Sequence, residues 1–230
     1  MENKTVIVTG AHGNLGSAVV QEFLKQGQKV VGFARGNHEE SENPFYQTLE
    51  TDLLKEDESA KSVAIAINRV GEIDTAVLTA GGFTLGTIAS TTAPDLEKLF
   101  MLNFETAYNV AKPILKHMSE NGKGKIFFIG SGVGMDTRKG NGTVAYSLSK
   151  SLLFQLANII NADIDKTGVQ AHVIVPGTID TPQNRESMPN ADFSQWEKPE
   201  DIARIIYDYS QKTNNIDETI LLIKEILTKN

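Results

Sequence analysis

The sequence predicts a three-layer α/β/α domain in which a doubly wound parallel sheet carries helices on both faces. Short apolar runs alternate with longer helical patterns along the whole chain, and this alternation is typical of repeated strand–helix–strand units. The first apolar run leads into a glycine-rich segment and a helix, as dinucleotide-binding units do. The chain has 230 residues, 40% of them hydrophobic, and shows no internal linker or repeat. We therefore expect one domain spanning residues 1–230, with its site at the carboxyl ends of the strands.

The composition excludes several classes of site. No cysteine occurs, which rules out disulfides, thiolate metal sites and cysteine nucleophiles. A net charge of −7 without a basic cluster argues against nucleic-acid binding. The four histidines, at positions 12, 38, 117 and 172, lack the spacing of metal ligands. The chain enters a strand-like run directly, and no apolar run approaches the roughly 18 residues of a membrane helix. We expect a cytoplasmic protein with neither a metal nor a membrane partner.

The first strand and helix enclose a predicted pyrophosphate site. Residues 6–8 predict a strand, and Leu15, Val19 and Phe23, four residues apart, predict a helix that Gly27 ends. Between them, residues 9–16 read Thr-Gly-Ala-His-Gly-Asn-Leu-Gly. Glycines let the backbone approach a pyrophosphate, whose charge meets the N–H groups and positive end of the helix. The segment therefore predicts a dinucleotide-binding unit of the Rossmann type.

The second strand, predicted at residues 29–34, bears on the choice of cofactor. An acidic residue about 20 positions beyond the glycines would bind the ribose hydroxyls of NAD. The sequence has Ala34 at this point, and Arg35 follows. An arginine can pair with a 2′-phosphate, so we expect NADP(H) to be preferred and NAD(H) to be possible. The alternative is that Arg35 is merely a solvated side chain.

The middle of the chain continues the same alternation. Residues 37–44 read as a loop, residues 46–51 as a weak third strand, residues 55–70 as a helix closed by Gly71, and residues 73–79 as the fourth strand. Residues 94–120 predict one long helix that is apolar on more than one face and kinked at Pro113. A helix with two apolar faces suggests a subunit contact, so we expect a homodimer or homotetramer.

Residues 125–150 contain the predicted catalytic group. An apolar strand at residues 126–129 is followed by Ser131 in a glycine-rich loop and by a helix that carries Tyr146 and Lys150. Residues four apart project from one face of a helix, and an ammonium beside a phenol favours the phenolate. We expect Lys150 to lower the pKa of Tyr146 and fit it for acid–base chemistry, with Ser131 donating a hydrogen bond to the same substrate oxygen. Tyr108 and Lys112 have the same spacing but lack the strand and serine, so Tyr108 is interpreted as packing.

The last part of the chain completes the sheet. The Tyr146 helix should run to about Lys166 and break at Gly168, and residues 171–175 predict the next strand. Polar residues 181–198 predict a substrate lid, and Pro199 opens a further helix. Residues 220–223 favour a last buried strand, although the spacing of Ile216, Ile220, Ile223 and Leu227 also fits a helix.

These ordered motifs resemble the short-chain dehydrogenase/reductase family. Shared elements are the glycine-rich loop, the Thr-Ala-Gly-Gly of residues 79–82, the Ser131, Tyr146 and Lys150 group, and the Pro-Gly-x-x-x-Thr of residues 176–181. Two positions depart from the family pattern. Asn14 stands where its second loop glycine would be, so that Gly10, Gly13 and Gly16 have the spacing of other branches, and Thr79 replaces the usual Asn.

The resemblance implies roles for individual residues. Asn103, Ser131, Tyr146 and Lys150 would form the catalytic set, in which Asn103 holds a water beside the lysine by bending the backbone. Asp52 would bond the adenine amino group and Leu53 a ring nitrogen, while Ile179 and Thr181 would contact the nicotinamide. The full set of implied cofactor contacts is Gly10, His12, Gly13, Asn14, Leu15, Gly16, Arg35, Asp52, Leu53, Ala80, Gly81, Gly82, Tyr146, Lys150, Pro176, Gly177, Ile179 and Thr181.

Simpler interpretations stay open for three of these positions. Asp52 is equally well explained as a turn or helix-capping residue, Asn103 as an ordinary helix residue, and residues 176–181 as a plain turn.

The substrate is open between two classes. Residues 180–196 and residues 80–83 resemble dihydropteridine reductases, which would imply a quinonoid dihydropterin. Ser131, which those enzymes lack, fits reduction of a ketone or aldehyde better. A non-catalytic NADP-sensing protein on the same fold is a further alternative. The expected partner in either enzymatic case is a small-molecule substrate.

Overall fold

The protein is built on one seven-stranded sheet in which every pair of neighbouring strands is parallel. The computed structural model describes residues 4–36, 41–212 and 218–229. The sheet order is β3-β2-β1-β4-β5-β6-β7. The strands are β1 (Thr5–Thr9), β2 (Lys29–Ala34), β3 (Tyr46–Glu50), β4 (Thr75–Leu78), β5 (Gly124–Ile129), β6 (Val169–Val175) and β7 (Ile220–Leu222). The order reverses between β1 and β4, and this switch point is where doubly wound sheets form their binding crevice.

Helices cover both faces of the sheet, as the strand–helix alternation predicts. The helices are α1 (Asn14–Lys25), α2 (Glu56–Val70), α3 (Ala93–Phe100), α4 (Thr106–Glu120), α5 (Gly132–Met135), α6 (Val144–Asn161), α7 (Ile164–Thr167), α8 (Pro182–Ser187), α9 (Pro199–Gln211) and α10 (Ile223–Lys229). One core cluster joins the sheet to α2, α4 and α6, and the other joins it to α1 and α9. Because β1, β4 and β6 are buried along their whole length, their sequences are nearly continuous apolar runs.

The segment predicted as one long helix has a different internal structure. A π-helical turn, Met101–Glu105, separates α3 from α4, whereas α4 continues through Pro113. The break in the α-helical pattern therefore lies around Asn103. Asn103 is buried and hydrogen-bonds backbone outside its own helix, and π-turns are common where a helix must re-aim such a residue.

Two other segments differ from prediction. α6 ends at Asn161 rather than Lys166, and the short helix α7 precedes Gly168, which has a φ of 66°. The predicted lid is not wholly irregular, because α8 and a 3₁₀ turn at Phe193–Gln195 lie within it. At the carboxyl end, the favoured strand is confirmed as β7, although only Leu221 in it is buried, and α10 follows it at once. Residues 37–40 of the predicted loop, with His38, and Ile216 of the alternative terminal helix fall outside the described residues.

Two kinds of feature are absent from the described ranges. None of the helices there is both long enough and apolar enough to cross a bilayer. Nor do the His, Asp and Glu side chains of these ranges form a group of three or more that would hold a metal ion.

One buried histidine couples folding to pH. His172 on β6 is 1% exposed and stacks on Phe127 with ring centroids 5.3 Å apart. Its Nδ1 donates to the Glu218 carbonyl at 3.0 Å, while Nε2 lacks a partner among the described residues. Burial, reinforced by Lys125 and Lys212, lowers the pKa of His172 to about 4. The folded protein therefore holds this imidazole neutral.

We predict that His172→Gln makes the free energy of unfolding depend less steeply on pH below about 6.5. The unfolded chain protonates His172 near pH 6.5, whereas the folded chain does so near pH 4, so folding stability is complete above pH 6.5 and falls as the pH drops toward 4. The free energy of unfolding that His172 contributes falls by at most about 3 kcal/mol over this range. Urea unfolding at pH 7, 6, 5 and 4 measures it. If the free energy of unfolding changed with pH in the same way in the wild type and the variant, the lowered pKa of His172 would be contradicted.

Candidate active site

The glycine-rich loop after β1 forms a close turn against its own backbone. Gly10 has a φ of 60° and its carbonyl accepts from the Gly13 N–H at 2.8 Å. A Cβ on Gly16 would collide with the Gly10 carbonyl. The three glycines therefore serve local close approaches that side chains would prevent.

The amino end of α1 faces this turn and is suited to an anion. Its N-cap is Gly13, no side chain caps it, and no acidic residue occupies its first turn. The N–H groups and the positive end of the helix dipole are thus available to a pyrophosphate. The adjacent cavity of about 430 Å³ is lined by Gly10, His12, Gly13, Asn14, Leu15, Gly16, Phe33, Ala34, Arg35, Thr51, Asp52, Leu53, Leu54, Thr79, Ala80, Gly81, Leu102 and Thr106. The glycine loop, the helix end and the cavity together fit a dinucleotide.

The far end of the cavity contains the residues expected around the adenosine. Arg35 is exposed at the end of β2 and Leu53 is buried. Asp52 Oδ1 accepts from the Leu54 N–H at 3.2 Å. Asp52 therefore also acts as a turn residue, as the alternative interpretation holds. His12 Nε2 lies 3.2 Å from the Tyr46 hydroxyl oxygen.

Several lining residues were not singled out from the sequence. These are Phe33, Thr51, Leu54, Leu102 and Thr106. Phe33, Thr51 and Leu54 lie at or just beyond the carboxyl ends of β2 and β3, so the rule that sites form at strand ends would have found them. Leu102 and Thr106 belong to the π-turn region, which carries no comparable signal in the sequence.

Thr79 braces the sheet although the family pattern has Asn there. Its hydroxyl donates to the Thr9 carbonyl at 2.6 Å, and the Ala80 N–H donates to Thr9 Oγ1 at 3.2 Å. These bonds join the carboxyl ends of β1 and β4 and direct Ala80 and Gly81 along the cavity.

Asn103 fixes the next part of this strand-end loop. Its Oδ1 accepts from the Gly82 N–H at 2.8 Å, and its Nδ2 donates to the Gly82 carbonyl and to Ser149 Oγ, both at 3.0 Å. The side chain is 1% exposed and thus links the Gly82 loop to α6. The simpler interpretation of Asn103 as an ordinary solvated helix residue is therefore excluded.

Ser131, Tyr146 and Lys150 converge at the carboxyl end of β5. Ser131 is the N-cap of α5 and its Oγ accepts from the Gly134 N–H at 3.0 Å. Lys150 Nζ donates to the Ile129 carbonyl at 2.8 Å and lies 5.9 Å from the centroid of the Tyr146 ring. The group is largely buried, because Ser131 and Lys150 are each under 10% exposed.

The expected effect of Lys150 on the pKa of Tyr146 is wrong. Burial raises the pKa of Tyr146, and the Ser131 side chain only partly opposes this. Burial lowers the pKa of Lys150 to about 8. The physical reason is that burial disfavours the charged phenolate more strongly than the ammonium of Lys150 favours it. That ammonium is directed toward the Ile129 carbonyl. Tyr146 is therefore a protonated phenol at neutral pH and is ready to donate.

The Pro-Gly segment after β6 leads into the predicted lid. Gly177 N–H donates to Glu197 Oε2 at 2.9 Å, and burial raises the pKa of this Glu197 carboxyl. Thr181 caps α8 by accepting from the Asn184 N–H at 3.2 Å, and Asn184 Nδ2 donates to the Ile179 carbonyl at 2.8 Å. Pro176, Gly177, Ile179 and Thr181 do not line the cavity described above.

The lid touches the glycine-rich loop across the crevice. Asn14 Nδ2 donates to Gln183 Oε1 at 2.8 Å, although the two residues are 169 positions apart in the chain. Asn14, which departs from the glycine pattern, thus connects the pyrophosphate loop to α8.

The comparisons with known proteins agree with this geometry. Residues 4–192 match the family model described as short chain dehydrogenase. The cyclic-di-GMP-binding biofilm dispersal mediator protein of Escherichia coli K12 is 28% identical over 190 residues, which are 83% of this chain and 79% of that protein. An uncharacterized oxidoreductase of Staphylococcus aureus MRSA252 is 26% identical over 227 residues, which are 95% of this chain and 96% of the relative.

Two solved structures share the fold at lower identity. ElxO with NADP bound superimposes with a TM-score of 0.87 at 21% identity and covers 96% of each chain. The ligand-free aldohexose dehydrogenase AldT of Thermoplasma acidophilum gives a TM-score of 0.83 at 23% identity, covering 96% of this chain and 91% of that one.

Proposed function

The chain belongs to the short-chain dehydrogenase family and is an NAD(P)-dependent oxidoreductase of that type, and from this premise we propose that it reduces a small carbonyl compound with NADP(H), using Tyr146 as the proton donor. The observation that carries the proposal is the partly buried phenol of Tyr146, whose pKa is raised, beside Ser131 and Lys150. A donor of this kind at the end of a dinucleotide crevice fits carbonyl reduction.

Each catalytic side chain has a defined role in this mechanism. NADPH supplies the hydride to the carbonyl carbon when it is bound. Tyr146 gives its phenolic proton to the carbonyl oxygen, and Ser131 donates a hydrogen bond that orients the same oxygen. Lys150 binds ribose hydroxyls and stabilises the phenolate that remains after proton transfer. The carbonyl substrate thus gains one hydride and one proton and becomes the alcohol.

Asn103 acts by positioning rather than by touching the substrate. Its side chain holds Gly82 and Ser149, and the π-turn around it departs from α-helical backbone pairing. We propose that this turn exposes backbone to a water beside Lys150, which would complete a proton relay.

The preference for NADP(H) is supported by charge at the end of β2. Ala34 replaces the acidic residue that NAD binding favours, and Arg35 lines the cavity next to it. A guanidinium in this position can pair with the 2′-phosphate.

A carbonyl substrate is favoured over a quinonoid dihydropterin because of Ser131. Its hydroxyl accepts from Gly134 N–H, so the O–H hydrogen can be donated to a substrate oxygen, which carbonyl reduction uses. A panel of aldehydes, ketones, acetoacetyl thioesters, quinones and quinonoid dihydropterin, run with both cofactors, separates these classes.

We also propose that the chain forms a homodimer or homotetramer through α4 and α6. Ile159 on α6 is 68% exposed and Tyr108 on α4 is 41% exposed, stacking on Phe104 on one side only. Tyr108, interpreted from the sequence as packing, is thus partly exposed in the single chain and would pack in the proposed interface. An apolar groove of about 370 Å³ runs between the two helices, and a second copy would cover it.

We predict that Tyr146→Phe retains NADPH binding but loses turnover by roughly 10²–10⁴-fold, since the proton donor is gone while the ring remains. NADPH fluorescence titration and steady-state rates measure the two effects. Tyr108→Phe is the matched control, because Tyr108 shares the Tyr-x-x-x-Lys spacing, and it should keep full activity. Undiminished turnover in Tyr146→Phe would remove Tyr146 from the mechanism.

Arg35→Ser should weaken NADPH binding by roughly tenfold and leave NADH binding unchanged, because only NADPH carries the 2′-phosphate. Arg69→Ser, which removes an exposed arginine from α2, serves as the control. A wild-type protein that binds NADH more tightly than NADPH would overturn the preference.

Light scattering at micromolar concentration should give two or four times the 25.1 kDa mass of the chain. Ile159→Glu places a charge in the proposed interface and should shift the protein toward the monomer, whereas Ile65→Glu on α2 should not. A monomeric wild type would refute the interface.

A further inference from the structure

An exposed aromatic ring lies directly against the phenol of Tyr146. Phe83 is 59% exposed, yet its ring centroid is 4.9 Å from that of Tyr146, with the ring planes at 75°. This is the edge-to-face arrangement that aromatic pairs favour. A large apolar side chain in this position leaves most of its surface open beside the proton donor.

The backbone around Phe83 is fixed on both sides. Before it, Asn103 binds both the N–H and the carbonyl of Gly82. After it, the Gly86 N–H donates to the Gly142 carbonyl at 2.8 Å, and the Gly86 carbonyl accepts from the Val144 N–H at 2.9 Å. These bonds tie the loop to the start of α6, the helix that carries Tyr146. The position of the Phe83 ring relative to the phenol is therefore set by the fold.

This geometry determines what lies next to a reacting carbonyl. The substrate oxygen must lie within hydrogen-bond distance of the Tyr146 hydroxyl. The Phe83 ring lies 4.9 Å from the phenol, so an aryl group on that carbonyl would come beside it. Aromatic rings pair at centroid distances of about 4.5–7 Å.

We propose that Phe83 forms a wall of the substrate site and selects carbonyl compounds that carry an aromatic ring next to the carbonyl. The proposal rests on the carbonyl reduction proposed above. An aryl group gains ring pairing with Phe83 that a saturated ring of the same size does not, and this gain corresponds to about 2- to 12-fold in affinity or kcat/KM.

The test uses acetophenone and cyclohexyl methyl ketone, which are similar in size and differ in aromaticity. Each ketone is titrated into the NADPH-loaded protein, with NADPH fluorescence reporting binding and NADPH oxidation reporting turnover. The variant is Phe83→Leu, which keeps an apolar side chain at an exposed position and so preserves folding. Leu85→Ala is the control, because Leu85 is 79% exposed in the same loop and has no ring.

The wild type and Leu85→Ala should prefer acetophenone by about 2- to 12-fold, and in Phe83→Leu the ratio of the two ketones should fall toward one. Equal binding of the two ketones by the wild type, or the same ratio in Phe83→Leu, would overturn the proposal. Ring-dependent binding without reduction of any carbonyl compound by NADPH would support the role of Phe83 and count against the proposed reaction, so the two failures are distinguishable.

Discussion

The arrangement of the site depends on one buried hydrogen bond, from the Lys150 ammonium to the carbonyl of Ile129 at 2.8 Å. An ammonium that is 6% exposed is costly unless it is hydrogen-bonded, so this bond fixes how α6 lies against the end of β5. Ser131 follows Ile129 by two residues, and Tyr146 precedes Lys150 by one helical turn. The same contact therefore brings the serine, the phenol and the lysine to one end of the sheet.

Close packing around this contact leaves little freedom to the neighbouring elements. A Cβ on Gly134 would lie 2.7 Å from Lys150 Cβ, so α5 and α6 approach more closely than side chains allow. A Cβ on Gly81 would lie 3.4 Å from Lys150 Nζ, so the β4 loop passes beside the ammonium. Burial that raises the pKa of Tyr146 and lowers that of Lys150 follows from this packing. It makes the phenol a proton donor before any ligand binds.

Much of the fold was predictable because local patterns and the parallel sheet agree. The strand–helix alternation predicts the sheet, and the rule of strand ends predicts that Gly10, Arg35, Asp52 and Ala80 meet at one cavity. The terminal strand was predicted, but α10 behind it was not. The alternative was a helix in place of the strand, since short apolar runs fit both.

What escaped prediction depends on tertiary contacts. The π-turn arises where Asn103 reaches Gly82 and Ser149, which helical periodicity does not report. The direction of the Tyr146 pKa shift depends on burial and on where the ammonium of Lys150 points, and i,i+4 spacing determines neither. The link between Asn14 and Gln183 joins residues 169 positions apart, beyond the reach of any local pattern.

The central claim is that Tyr146 stands in the free protein as a protonated phenol, ready to donate. Its ionisation can be followed by NMR with ring-labelled tyrosine, using Tyr146→Phe to assign the signal. The account predicts that this signal remains that of the neutral phenol through the ordinary tyrosine range near pH 10. A Tyr146 signal that titrates near neutral pH in the free protein would contradict it.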